Sequence, residues 1–119
     1  MSWSRDAGKT WSPVAATTLP NPNSGTDAVT LQDGRHLIVY NPTAHNPDTP
    51  GKGYRYPLAV AVSNDGLSWA RVLTLETEPL PSGYAYPAVI QATDGLVHVT
   101  YTHDRKRITH VVIDPEELE

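Results

Sequence analysis

The chain has no cysteine, which excludes a disulfide framework and any thiolate metal site and leaves packing alone to supply stability. No apolar run approaches the length of a membrane span, and the Met-Ser-Trp start lacks the charged and apolar regions of an export signal. As a sequence it is expected to be soluble, with no membrane partner. A basic excess is missing too: the formal net charge is −4, which argues against nucleic acid or an anionic surface as the main partner. The histidines match no zinc spacing. His36, His45 and His103 fall at turns or in loops, while His98 and His110 alternate with apolar neighbours as strand residues do. Neither a metal nor a cofactor is expected. Helical periodicity is also absent before the acidic tail Glu116-Glu117-Leu118-Glu119.

What is present is strand and turn. At 119 residues, 39% hydrophobic and 18% charged, the chain has the composition of a globular domain. β-Branched and apolar runs predict strands over 12–19 (stopped by Pro20), 26–31, 36–40, 57–62, 70–75, 88–91, 96–101 and 107–113. Asp33-Gly34 and Asp94-Gly95 stand between apolar runs as hairpin turns. Two loops rich in Pro, Gly and polar residues, 41–54 and 76–83, separate the runs, and loops of such length often carry function. The tip Asp104-Arg105-Lys106-Arg107 reads as a solvated basic hairpin.

Two further stretches share one pattern. Ser4-Arg5-Asp6-Ala7-Gly8-Lys9-Thr10-Trp11 reads Ser-x-Asp-x-Gly-x-Thr-Trp, and Ser63-Asn64-Asp65-Gly66-Leu67-Ser68-Trp69 is a version one residue shorter. In each, the Asp is suited to accept turn N–H groups, the Gly to take a positive φ and the Trp to fold back over its sheet. The two aspartates lie 59 residues apart and the two Asp-Gly turns 61 apart, so the repeating unit is about 60 residues long and the chain holds two. Each unit is expected to be four antiparallel strands with the Ser-x-Asp turn between the third and fourth.

This pattern resembles the Asp-box of the sialidase (neuraminidase) β-propellers and related BNR-repeat proteins. The resemblance implies an all-β fold of four-stranded, Asp-box-type blades, two per chain, in a propeller of six when completed. Residues 1–19 would complete a blade, 20–75 form a whole one and 76–119 a partial one. The Asp-box residues Ser4, Asp6, Gly8, Trp11, Ser63, Asp65, Gly66 and Trp69 are then structural staples. Two blades do not close a ring and leave sheet edges bare. Completion is expected from upstream blades of a longer chain or from a cyclic homo-oligomer, preferably a trimer, in which 12–19 of one copy pairs with 107–113 of the next.

The resemblance also implies a glycan partner with a terminal acidic sugar. In that family an arginine at a strand start before an Asp-box binds the substrate carboxylate, and a tyrosine after the following loop is the nucleophile. A carboxylate nucleophile would be repelled by such a substrate. These roles fall on Arg55, preceded by Asn41-Pro42, and on Tyr84 in Gly83-Tyr84-Ala85-Tyr86-Pro87. Tyr86, two residues further on in the same segment, is the alternative tyrosine. Asp27 is the acidic residue near an inner strand start. The family's acid/base Asp, its first two arginines and the Glu that activates the tyrosine have no motif here, so two functions stand side by side. One is a sialidase-like glycoside hydrolase; the other is a non-catalytic carbohydrate-binding or scaffold module.

Overall fold

The computed structural model describes residues 1–44, 48 and 53–118. Seven strands form two antiparallel sheets. The first sheet has β1 (Asp27–Thr30), β2 (His36–Tyr40), β3 (Leu58–Ser63) and β4 (Ala70–Glu76) in the order β1-β2-β3-β4; the second has β5 (Tyr84–Gln91), β6 (Val97–His103) and β7 (Arg107–Ile113) in the order β5-β6-β7. Among the described residues no helix is long and apolar enough to cross a membrane.

Alternation along the strands decides where the core sits. The register sets Leu37 opposite Val62 and Val39 opposite Val60, and these side chains share one buried cluster with Val89, Val97, Val99 and Tyr101 of the second sheet. The opposite face of the first sheet carries Tyr40, Ala59 and Ala61, covered by Ile38, Leu19 and Trp69. β3 is therefore buried on both faces, which is why it reads as an unbroken apolar run rather than an alternating one. Both Asp-Gly turns close in the same way. Gly34 N–H donates to Leu31 O at 2.9 Å and Gly95 N–H to Ala92 O at 3.0 Å, each glycine at φ +90°.

Two of the strand expectations change. Residues 12–19 form no strand: Ser12 and Ala15 donate to the carbonyls of Trp3 and Met1 at 2.8 Å, and no ladder continues beyond them. A strand needs a partner along its length, and Met1–Trp3 supplies only three residues. β5 begins at Tyr84 rather than at 88, because its first residues pair with His103 and Thr102 across a bulge between Ala85 and Ala88. The acidic tail carries local structure of its own. Pro115–Glu117 is a 3-10 turn capped by Asp114, and Arg35 ties it to the first sheet through the carbonyls of Leu118 at 2.6 Å and Pro115 at 2.7 Å. Part of the long loop, His45 included, lies outside the described residues.

Candidate functional site

The ends of the sheets differ in chemistry. At the end where β3 runs into β4, both Ser-x-Asp turns are built as their residues dictate. Asp65 Oδ1 accepts Leu67 N–H at 2.8 Å, Ser68 N–H at 2.7 Å and the Ser63 hydroxyl at 2.9 Å. The Ser68 and Leu67 amides, with the Ser63 hydroxyl, hold its carboxyl well below the usual carboxylate range. In the first turn the Thr10 hydroxyl and amide and the Ser4 hydroxyl hold Asp6 at about 2. Gly8 and Gly66 take φ +84° and +72°.

The tryptophans part company. Trp69 folds onto Tyr40, Ala59 and Ala61, whereas Trp11 is 65% exposed and closes its own turn, Nε1 donating to Gly8 O at 3.1 Å. The expected packing of Trp11 over a sheet is not realised, since residues 1–19 bring no sheet beneath it. Trp69 Nε1 is buried without a partner among the described residues; the second turn is one residue shorter than the first, with Gly66 directly after Asp65.

At the other end, Arg55 and Tyr84 meet through the main chain. Tyr84 N–H donates to Arg55 O at 2.7 Å, and Asp104 N–H donates to Gly83 O at 2.8 Å. Asn41, fully buried, fastens the same junction: its Nδ2 donates to Pro57 O at 3.0 Å and to Tyr84 O at 3.2 Å, leaving Oδ1 without a partner among the described residues. The Arg55 guanidinium turns back on the chain and donates to the carbonyls of Pro22, Gly53 and Asn23, each at 3.0 Å. Tyr54 and Tyr56 rest on one another with ring centroids 5.2 Å apart. Together with Arg55 and Pro79–Ser82 they line an open cleft of about 360 Å³.

Tyr84 itself is a core residue, 1% exposed. Its ring packs edge-on against Tyr101 and His103, and its hydroxyl donates to Glu78 O at 3.0 Å. Burial, then the charges of Glu76, Glu78 and Asp104, push its phenol up. Tyr86 differs. It lies in the β5 bulge at φ +53°, 67% exposed, its ring facing Gly25. A β-carbon on Gly25 would sit 3.8 Å from the Tyr86 ring. Asp27 joins the sheets, its Oδ2 accepting Val89 N–H at 2.8 Å. The fold thus brings Arg55, Tyr84, Tyr86 and Asp27 to neighbouring strand ends, with Tyr86 open to solvent and Tyr84 closed.

Sequence reasoning put His103 at a turn, whereas it is the last residue of β6 and touches both Tyr84 and Arg107. His98 and His110 hydrogen-bond to each other at 3.0 Å, and among the described residues there is no group of three or more potential metal ligands.

Two antiparallel sheets with a pair of Ser-x-Asp turns at one end, one of them joining β3 to β4, define an Asp-box repeat protein. The family model of the BNR repeat-like domain matches residues 1–99, and the chain belongs to that family. No curated protein and no solved structure matches it.

Proposed function

We propose that the two sheets are successive blades of a sialidase-type propeller and that the end carrying Arg55 and Tyr86 engages glycans with a terminal acidic sugar. The observation that carries this reading is the junction of Arg55 with the Gly83–Tyr86 segment at the start of β5. It sets a guanidinium and an exposed phenol at adjoining strand ends, beside an open cleft. Of the two tyrosines, Tyr86 is the one able to approach a sugar, and Tyr84 supports the segment from the core. To take a carboxylate, Arg55 exchanges a backbone carbonyl for the anion, a trade that a bidentate, charged acceptor favours.

Hydrolysis of a fluorogenic sialoside tests the reading. Tyr86→Phe is expected to lower turnover by two or more orders of magnitude while sparing binding, because the phenol oxygen forms its bond only in the reaction. Tyr84→Phe is expected to reduce turnover far less. The second reading, a carbohydrate-binding module without catalysis, is favoured by the closed Tyr84 and by the three carbonyls already on Arg55. Sialoside binding with no turnover at high protein concentration decides for it.

The outer edge of β7 has no neighbouring strand among the described residues, and a bare edge of this length invites a partner. We propose that further copies complete the ring, three copies giving six blades. Light scattering is expected to return the mass of a trimer; a well-folded monomer at micromolar concentration rules this assembly out and leaves completion to further blades of a longer chain.

A further inference from the structure

The two Ser-x-Asp turns stand side by side and enclose a groove that the proposed site does not use. Trp3, near the start of the chain, lies against the second turn so closely that a β-carbon on Gly66 would come within 2.7 Å of the indole. Trp11 closes the first turn. Between them runs an open groove of about 550 Å³, lined by Trp3, Arg5, Trp11, Ser12, Asp65 and Leu67 among others. That volume suits a small ligand.

Three features give the groove a chemical character. Both indoles are presented, Trp3 at 46% and Trp11 at 65% exposure. Trp11 is also fixed in place, because its N–H bond to Gly8 O anchors it to a turn whose carboxylate binds two side chains and a backbone amide. A platform already held in position loses little side-chain freedom when a ligand stacks on it. Arg5, meanwhile, makes no hydrogen bond or ion pair among the described residues, although it lines the same groove as Asp65. Fixed aromatic faces together with an uncommitted guanidinium, hydroxyls and a carboxylate match a ligand with an apolar ring face and a rim of hydroxyl groups.

We propose that this groove is a saccharide site, in which a pyranose ring stacks on Trp11 and its hydroxyl or acidic substituents are held by Arg5. It lies at the end of the sheets opposite Arg55 and does not depend on the function proposed for that end.

Calorimetric titration with lactose and with 3′-sialyllactose tests it, run on the parent chain and on Trp11→Ala, Arg5→Ala and Arg55→Ala. Because Trp11 is exposed, its replacement is expected to leave the circular dichroism spectrum unchanged. Saturable binding of lactose by the parent and by Arg55→Ala, weakened tenfold or more in Trp11→Ala, supports the groove. For sialyllactose, an additional loss in Arg5→Ala assigns the acidic group to Arg5. Binding that Arg55→Ala removes and Trp11→Ala leaves intact overturns the proposal while sparing the other site. No heat at millimolar lactose overturns it as well. A parent oligomer that Trp11→Ala dissociates also overturns it, making the groove a contact between copies.

Discussion

Trp69→Ala is expected to lower the unfolding free energy by about 3 kcal/mol, the low end for truncating a large aromatic ring because the indole is only half-buried. The ring covers Tyr40, Ala59 and Ala61, and the two alanines leave a depression that a large side chain must fill. Collapse around the missing ring is restricted, since β3 is held from its other face by the main core through Leu58, Val60 and Val62. In a chain of this size such a loss is a large part of total stability, and it corresponds to a fall in melting temperature on the order of 15 °C. Trp69→Phe is expected to cost less, because it keeps a ring and removes an indole N–H that is buried without an acceptor among the described residues. Urea and thermal unfolding check both variants. A melting temperature for Trp69→Ala within a few degrees of the parent would falsify the role of this residue as a staple of the second turn.

Gly83→Ala is expected to cost about 3 kcal/mol or more, through backbone strain and overpacking together. Gly83 stands where three segments converge. Its N–H donates to Leu80 O, its carbonyl accepts from Asp104 N–H, and Arg55 passes directly beside it. A β-carbon there would lie 2.5 Å from Arg55 O and 2.6 Å from Arg55 Cβ, on a residue with φ +60°. Backbone, not a flexible side-chain tip, would have to yield, and the hydrogen bond from Tyr84 N–H to Arg55 O is the first casualty. Gly95→Ala is the control. Its φ is also positive, at +90°, but nothing lies within 4 Å of the added carbon, so only the conformational cost of about 1 kcal/mol is expected. Equal losses in the two variants would show that the close approach to Arg55 carries no energy. Glycan binding at the Arg55 end should weaken in Gly83→Ala and be unchanged in Gly95→Ala.

Local chemistry is what the sequence determined. The strands, the two Asp-Gly hairpins and the two Ser-x-Asp turns each depend on residues within a few positions of one another: alternation, a glycine with φ above zero, an aspartate with amides in reach. β7 falls where its apolar run predicts, and the 61-residue spacing of the hairpins reappears as two turns of the same geometry. Whatever needed a partner distant in the sequence was decided by tertiary structure. Residues 12–19 have strand composition but no ladder, because composition does not supply a neighbour. Trp11 and Trp69 close versions of one motif, yet one is exposed and the other half-buried, since a tryptophan buries only against a sheet that lies beneath it. Tyr84 and Tyr86 are two residues apart and would share a face in a regular strand. The bulge after Ala85 breaks that parity, and the pairing of β5 with β6, through Thr102 and His103, places Tyr84 in the core and turns Tyr86 to solvent.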